Sequence, residues 1–218
     1  MKKMLLTLSV FPLALLMTGC GQSQYDMAIS KMSEITYSYF YGKCDTFEIS
    51  ISSGEREEPY VYDGKSQEKC DFALVTAKIN TNSEKINMTF SINGEASSQI
   101  LEYNIMTGTY MVDLEQQLDA DDQISVKYGN TQISVDCKSK EFAIGYQKAI
   151  EIGVNEFSED MTKVTESGEF KAECYLKILD NISNNYDSSF WCFSIVDEKS
   201  QHLNCIIDTQ TGNIVART

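Results

Sequence analysis

The stretch SSGEREEPYVYDG, residues 52–64, places side chains that can do chemistry close together. Glu57 and Glu58 are adjacent carboxylates. A pair of carboxylic groups whose environments separate their pKa values can supply the acid and the base of a hydrolytic reaction. One hypothesis is therefore a carboxylate-dependent hydrolase whose site is assembled only in three dimensions. It requires a cleft around these groups, because burial and neighbouring charges are what separate the pKa values.

The same stretch has a simpler interpretation, as a charged connection between two strands. FEISIS before it and YVY within it are strand-like, and Pro59 lacks the backbone donor that an inner strand needs. Charged residues and proline at a sheet edge also discourage pairing with other chains. We favour this interpretation, which makes Arg56, Glu57 and Tyr60 part of a rim that binds a partner.

No other local motif indicates catalysis, a cofactor or a metal. His202 is the only histidine and lies in EKSQHLN at a predicted turn without a nucleophile motif beside it, so a solvated histidine is favoured. Asp119, Asp121 and Asp122 offer oxygen ligands, but their spacing does not match a calcium-binding EF-hand loop. An acidic turn is favoured there, and we predict no catalytic residue, no metal and no cofactor.

Cysteine is the next candidate for chemistry. Seven cysteines are present, and six remain when Cys20 is set aside, an even number that permits three disulfides in an exported chain. Cys192 and Cys205 are the candidate pair, because they lie in neighbouring predicted strands, either directly opposite or diagonal according to the turn. The alternative is that most of the cysteines stay free and pack as small apolar side chains. The six are Cys44, Cys70, Cys137, Cys174, Cys192 and Cys205.

The first twenty residues carry a targeting signal. Lys2 and Lys3 precede the uncharged apolar run MLLTLSVFPLALLM, which is shorter than the ~20 residues that span a bilayer. The ending LMTGC resembles the lipobox of bacterial lipoproteins, with Met17 where leucine is usual. The resemblance implies removal of residues 1–19 as a signal peptide, acylation of Cys20, and a place outside the cytoplasm on the bacterial cell membrane. An ordinary secretory leader with an incidental cysteine is the alternative.

The elements that must position these residues are mostly strands. Residues 20–43 are expected to form a lipidated tether and a short helix that ends near Gly42, because their apolar residues fall close to helical spacing. Apolar residues then alternate, as at Phe47 and Ile49, and strand-like runs recur with turn signals between them. Residues 44–138 are therefore predicted to be an antiparallel β-sandwich, similar to an immunoglobulin domain.

Residues 139–218 are predicted to form a separate α+β domain, with one helix on a three- to four-stranded antiparallel sheet. SKEFAIGYQKAIEIGVNEF has an apolar helical stripe, and three strand-like runs follow it. The helix, the strands and the final IIDTQTGNIV resemble a PepSY-type or cystatin-like domain, in which an Asp-x-x-Thr-Gly turn closes the last hairpin. The resemblance implies an exported protein with a role linked to peptidases. The matching residues are Asp208, Thr211, Gly212 and Ile214.

Charge narrows the range of partners. The formal net charge is −14, and loss of Lys2 and Lys3 with a leader makes it more negative. Such a surface repels phosphate backbones, so we predict no nucleic-acid partner. The expected partners are the lipid bilayer, through acylated Cys20, and an envelope protein, a peptide or a peptidase. The sequence thus favours a membrane-anchored binding module over an enzyme.

Overall fold

Residues 23–179, 182 and 188–218 are described by the computed structural model of this chain, so the predicted signal peptide and Cys20 lie outside the described residues. The helices are α1 (Gln24–Ser30), α2 (Tyr146–Glu156) and α3 (Ser158–Lys163), and a 3₁₀-helix spans Lys138–Glu141. Within these ranges no helix is long and apolar enough to span a bilayer. The strands are β1 (Met32–Lys43), β2 (Phe47–Glu57), β3 (Lys69–Ile79), β4 (Lys85–Ile92), β5 (Glu95–Asn104), β6 (Thr109–Asp113), β7 (Ile124–Tyr128), β8 (Thr131–Cys137), β9 (Thr165–Glu166), β10 (Glu169–Phe170), β11 (Ala172–Leu179), β12 (Phe190–Asp197), β13 (His202–Asp208) and β14 (Ile214–Arg217).

The first eight strands close into an antiparallel barrel in the order β1-β2-β3-β6-β5-β4-β7-β8. Closure occurs where β1 pairs with β8, with Phe40 opposite Cys137 and Tyr41 opposite Asp136. An eight-stranded barrel is just wide enough for its inward side chains to fill it. Fully buried apolar residues occupy this interior, among them Ile51, Phe90 and Leu101. The centre of the barrel is therefore a packed core.

Strand β1 also pairs with a strand outside the barrel. Its first half pairs in parallel with β11, with Met32 opposite Cys174 and Ile35 opposite Leu176. From there the sheet continues through β12 and β13 to β14. A single continuous sheet therefore runs from the barrel into the C-terminal part of the chain.

The helices cover one face of this C-terminal sheet. From α2, Ile150 and Val154 point into a core that also contains Trp191, Phe193 and Ile195 of β12, and all five are buried. Residues of α1 and β1 complete this core. The opposite face of the same sheet is left for other contacts.

The predicted β-sandwich followed by a separate α+β domain is wrong. Strands of a sandwich and strands of a barrel show the same two-residue alternation, so the pattern of residues 44–138 does not distinguish them. The strand that closes the barrel, β1, lies before residue 44, where the sequence predicts a helix. Because β1 also pairs with β11, the two predicted units share one sheet.

The prediction of a helix that ends near Gly42 is also wrong, because α1 ends at Ser30 and β1 follows it. Most of β1 is buried on both faces, so its apolar residues do not alternate with polar ones. Some of its buried apolar residues, such as Ile35 and Tyr39, are therefore four positions apart, which resembles the spacing on one face of a helix. The β-branched and aromatic side chains of this segment favour a strand, and pairing on both sides satisfies that preference.

Candidate functional site

Residues 58–68, the loop from β2 to β3, lie over the face of the C-terminal sheet that the helices leave open. In β11, Cys174 and Leu176 point into the core under the helices, so Tyr175 and Lys177 point to the other face. The ring of Tyr62 from the loop lies 4.8 Å from the ring of Tyr175, centroid to centroid. The loop thus brings residues of the first half of the chain onto β11.

Two fully buried carboxylates hold the loop in place. Glu57 accepts a hydrogen bond from the backbone N–H of Gln67 at 3.1 Å. Glu173 accepts from the backbone N–H groups of Asp63 and Gly64, both at 2.9 Å, and from the Ser33 hydroxyl at 2.8 Å. Buried carboxylates are costly unless such donors surround them. The loop backbone supplies these donors, so the carboxylates and the loop stabilise one another.

Gly64 allows the loop to pack directly on the turn between β12 and β13. Its φ is +79°, and a Cβ built there would lie 2.5 Å from the backbone nitrogen of Glu198. A side chain at this position would therefore be strained by both the backbone conformation and the contact. Glycine is required for the loop to reach Glu173.

Three tyrosine rings surround the ammonium group of Lys177, and we call Tyr60, Tyr62, Tyr175 and Lys177 the tyrosine–lysine cluster. The Lys177 Nζ atom lies 4.9, 5.1 and 5.2 Å from the ring centroids of Tyr60, Tyr62 and Tyr175. It donates to the hydroxyl of Tyr62 at 2.5 Å and to that of Tyr60. Glu34 of β1 completes the arrangement, because its carboxylate lies 3.4 Å from Nζ and accepts a hydrogen bond from Tyr60.

The electrostatics favour a charged Lys177 and neutral side chains at Tyr60 and Tyr175. Burial lowers the pKa of Lys177, but attraction to Glu34 and hydrogen bonds to the carboxylate and Tyr62 outweigh it, so the net pKa is raised. Burial and the negative charge of Glu34 raise the pKa of Tyr60. Burial and a hydrogen bond to Glu173 raise the pKa of Tyr175. A charged lysine among neutral tyrosines suits recognition better than proton transfer at neutral pH.

A cleft of about 250 Å³ adjoins the cluster on the outer face of the barrel. Arg56 lies at this cleft, paired with Asp113, with its guanidinium carbon 5.8 Å from the ring centroid of Tyr60 and 5.2 Å from that of Phe72. Tyr60 therefore contacts both a guanidinium and an ammonium group. The walls of the cleft combine hydroxyl and apolar groups, from Thr36, Ser52, Thr76, Leu74, Met111 and Ile178.

A second cavity, of about 610 Å³, lies on the other side of Arg56 and Tyr60. Its lining is acidic and includes Glu58, Asp71 and Glu115. Since Arg56 and Tyr60 line both spaces, these two residues separate an acidic cavity from the smaller mixed cleft.

The predicted rim residues Arg56, Glu57 and Tyr60 are brought near one another, but not on a solvated turn. Arg56 and Glu57 are the last residues of β2, and only Tyr60 belongs to the exposed loop. Glu57 is fully buried, so its carboxylate does not contribute to a surface rim. The two-residue alternation of β2 accounts for this, because Glu57 lies on the same face as the buried Ser53, whereas Arg56 lies on the opposite face with Ser52.

Glu57 also bears on the hydrolase hypothesis. Burial raises its pKa, and the nearby charge of Glu173 adds to the effect, which is the signature sought in a carboxylate pair. Both carboxylates, however, are fully buried and bonded to the loop backbone, whereas Glu58 is exposed. Glu57 lines the acidic cavity of about 610 Å³, but its carboxylate is engaged by the loop backbone.

The candidate disulfide between Cys192 and Cys205 is not formed, and both thiols are free. The register places Cys192 opposite Ile206 and Cys205 opposite Phe193, so the two side chains lie on opposite faces of the sheet. A three-residue turn, residues 198–200 between Asp197 and Gln201, gives this offset, in place of the two- or four-residue turn considered from the sequence. The other described cysteines are also free: Cys44, Cys70, Cys137 and Cys174.

The remaining polar candidates lie apart from the cluster or at its margin. His202 is exposed at the start of β13, with its ring 5.9 Å from that of Tyr62. Asp119 and Asp122 form a turn in which the Asp119 N–H donates to the Asp122 carboxylate at 2.8 Å, and Asp121 pairs with Lys140 at 2.6 Å. Among the residues that the structure describes, no group of three or more histidine, cysteine or carboxylate side chains is arranged to hold a metal ion.

Sequence reasoning missed Glu34, Glu173, Tyr175 and Lys177. A signal for three of them was present in ECYLKIL of β11, where the polar residues Glu173, Tyr175 and Lys177 alternate with apolar ones. That alternation predicts a polar face opposite the helix. The approach of residues 58–68 to this face has no local signal, because it depends on the β1–β11 pairing.

Comparison of this chain with protein-family models, with curated proteins and with solved structures finds no match.

Proposed function

We propose that this chain is an extracytoplasmic lipoprotein, held on the bacterial cell membrane through Cys20, that binds a peptide or an envelope protein beside the tyrosine–lysine cluster. The observation that carries the proposal is a rigidly held aromatic surface. Tyr60, Val61 and Tyr62 are 37, 40 and 42% exposed, although Glu57 and Glu173 hold the backbone of the loop residues that follow them.

A fixed exposed loop of this kind favours binding. Exposed tyrosines supply a large contact area, and holding them in place beforehand reduces the entropy that association costs. Arg56 and Lys177 lie against the same ring, and tyrosine and arginine are the residue types enriched where binding energy concentrates. The tyrosine–lysine cluster is therefore the best-prepared surface for a partner among the described residues.

The cleft beside the cluster, unlike the acidic cavity of about 610 Å³ beyond Arg56, is small for a whole ligand and suits part of a polypeptide. Pockets for drug-sized ligands start at roughly 300 Å³. The cleft beside the cluster has about 250 Å³, which suits one large side chain of a partner. Its mixed walls, with hydroxyls from Thr36 and Thr76 and apolar groups from Leu74 and Met111, accept such a side chain together with its backbone.

The anchor would hold the chain close to the membrane. Ser23, the first described residue, follows Cys20 by three positions. Three extended residues span at most about 11 Å. With two acyl chains on Cys20 the attachment would be stable, so partners would be met at the membrane surface.

The hydrolase alternative rests on one observation, the raised pKa of Glu57 beside Glu173. It is the weaker candidate, because a catalytic carboxylate must reach the substrate. Glu57 would first have to leave its hydrogen bond to the loop.

The binding proposal can be tested by capture from an envelope extract. We expect the wild-type chain to retain a specific partner, and Tyr62→Ala to lose most of it, because that ring is exposed and forms part of the surface. Tyr103→Ala, which removes an exposed tyrosine of β5, is the matched control and should retain the partner. Equal capture by both variants, or none by the wild type at micromolar protein, would refute the proposal.

The anchor is tested separately by labelling cells with an alkyne fatty acid. The wild-type chain should become labelled and sediment with membranes, whereas Cys20→Ala should do neither. An unlabelled wild-type chain would contradict lipidation, whatever the outcome of the capture experiment.

A further inference from the structure

Strand β5 is longer than β6, the strand that pairs with one of its two edges. β6 has five residues and pairs with β5 only from Glu102 to Asn104. β5 begins at Glu95, and its pairing with β4 covers its length up to Glu102. Within the described residues no strand therefore pairs with the outer edge of β5 before Glu102.

The chain after β6 leaves this edge open. The backbone N–H of Leu114 donates to Ala73 of β3 at 3.0 Å, so the chain turns toward β3 and away from β5. Leu118 is buried further on, where its N–H donates to the Ser53 hydroxyl at 2.7 Å. Within the described part of the chain, the outer edge of the first half of β5 therefore stays unpaired.

The hairpin register shows which backbone groups face outward. Asn93 and Gly94 form a two-residue turn, with φ values of +52° and +89°, so Ile92 and Glu95 are a hydrogen-bonded pair. Hydrogen-bonded and non-bonded pairs alternate along an antiparallel ladder. The N–H and C=O groups of Ala96, Ser98 and Ile100 therefore point away from β4, at the open edge.

This edge lacks the usual protection. Natural edge strands carry lysine, proline or bulges, or are very short. From Ala96 to Ile100 the sequence ASSQI has no charge and no proline, and the ladder with β4 has no register shift. Ala96 and Ser98 are exposed, and Ile100 is 58% exposed. An extended chain can approach the backbone closely here.

The surrounding charge indicates the kind of chain. Glu95 lies at one end of the edge and Glu102 at the other, although Lys85 neutralises the latter. Where β6 ends, Asp71 and Glu115 line the acidic cavity of about 610 Å³. With a net charge of −14, a second copy of this chain would bring the same acidic groups to the contact.

We propose that the edge of β5 from Ala96 to Ile100 accepts an extended, basic polypeptide segment of a partner protein as an added strand. Main-chain hydrogen bonds to Ala96, Ser98 and Ile100 hold the segment, and Ile100 pairs with an apolar side chain beside it. Lysine or arginine residues at the ends of the segment meet the acidic groups. This surface is separate from the tyrosine–lysine cluster, so either binding proposal can be refuted while the other stands.

The probe is the peptide acetyl-Lys-Val-Thr-Val-Thr-Val-Lys-amide, titrated into the chain from residue 23 onward and followed by NMR. We expect saturable shifts and slowed hydrogen exchange at the amides of Ala96, Ser98 and Ile100. The same peptide with alternate backbone nitrogens methylated has the same charge but cannot complete the ladder. It should bind at least tenfold more weakly, and a version with glutamate in place of lysine should not bind.

Variants of the chain test the edge itself. Ser98→Pro removes an outward N–H without removing a bond to β4, and should weaken peptide binding at least tenfold. Ser98→Ala keeps the N–H and should bind as the wild type does. If Ser98→Pro does not fold, Ile100→Lys serves instead, because a basic side chain at the edge repels the peptide.

Three outcomes would overturn the proposal. The first is no binding up to millimolar peptide, and the second is equal binding of the plain and N-methylated peptides. The third is self-association of the chain through β5, detected by sedimentation and removed by Ser98→Pro, which would make a second copy the occupant.

Discussion

At the scale of single residues, the two buried carboxylates explain why a loop with exposed tyrosines stays ordered. Glu57 and Glu173 come from different parts of the sheet, yet both accept hydrogen bonds from the backbone of residues 58–68. A buried polar group that is left without a hydrogen-bond partner costs about 1–3 kcal/mol, and these bonds avoid that cost. The carboxylates therefore act on the loop, and through the loop on the position of Tyr60 and Tyr62.

The raised pKa of Glu57 gives a first prediction, on pH and stability. Above the ordinary carboxyl pKa of 4.5 the folded state keeps a proton that the unfolded state has released. Glu57 thus contributes stability below that pH, and the contribution is lost as the pH rises through the raised pKa. Glu57→Gln removes this titration, so its free energy of unfolding relative to the wild type should increase from pH 4 to pH 8.

Urea denaturation across this pH range measures the difference. Glu58→Gln is the control, because it removes one charge from the exposed neighbour of Glu57. A difference between Glu57→Gln and the wild type that stays constant with pH would show that Glu57 does not titrate as inferred.

Gly64 gives a second prediction, on the contact between the loop and the turn after β12. Gly64→Ala introduces a strained φ and a clash with the backbone of Glu198, whereas Gly94→Ala introduces only the strained φ, since its added Cβ would meet open space. We expect Gly64→Ala to lower the free energy of unfolding by roughly 2 kcal/mol more than Gly94→Ala does. Equal losses in the two variants would mean that the loop readily moves off the turn.

At the scale of elements, the close approach of α2 to β12 fixes the position of the helix on its sheet. Gly153 of α2 lies against Phe193 of β12, and a Cβ at Gly153 would overlap the Cβ and Cγ atoms of that side chain. These atoms are near the backbone and cannot swing aside. The helix therefore carries a residue of poor helix propensity at its centre because packing requires it.

A third prediction follows for this helix. Gly153→Ala should gain about 1 kcal/mol in helix propensity and lose more through overpacking, for a net destabilisation of about 1–2 kcal/mol. The double variant Gly153→Ala, Phe193→Leu should recover part of the loss relative to Phe193→Leu alone. Asn155→Ala, at an exposed position of α2, should not destabilise the chain. Thermal or urea unfolding would contradict this account if Gly153→Ala were the more stable protein.

Some elements and turns can be predicted from local sequence patterns alone. The alternation of Phe47, Ile49 and Ile51 predicts β2, and these residues do point into a core. The turn after β13 is likewise readable, because Asp208 accepts the N–H of Thr211 at 2.7 Å and Gly212 has a φ of +74°. Local chemistry is sufficient for such features.

Other features depend on contacts between distant parts of the chain and leave no local pattern. β1 pairs with a strand on each of its edges and is buried on both faces, so its apolar residues do not alternate with polar ones. Glu57 lies in a charged stretch typical of a turn, yet β2 extends through it because Lys69 and Cys70 pair with its last residues. The candidate site is hidden for the same reason, since Lys177 meets Tyr60 and Tyr62 only after β1 has joined β11 to the barrel.

At the scale of the whole molecule, β1 connects two cores. Phe40 near its end belongs to the barrel interior, whereas Met32 and Ile35 at its start belong to the core under the helices. Separating the two parts would leave the edge of β11 unpaired and would expose both sets of side chains. We therefore expect the chain to unfold as one cooperative unit.

The single tryptophan allows a fourth prediction to be tested directly. Trp191 is buried in the core under the helices, and Phe90 is buried in the barrel. Phe90→Ala should cost about 3–5 kcal/mol in the barrel. If β1 couples the two cores, Phe90→Ala should shift the urea midpoint of the Trp191 fluorescence transition by as much as it shifts the midpoint of the circular dichroism transition. Two independent units would give a different result, in which Phe90→Ala moves only part of the dichroism change and leaves the Trp191 midpoint where it is in the wild type.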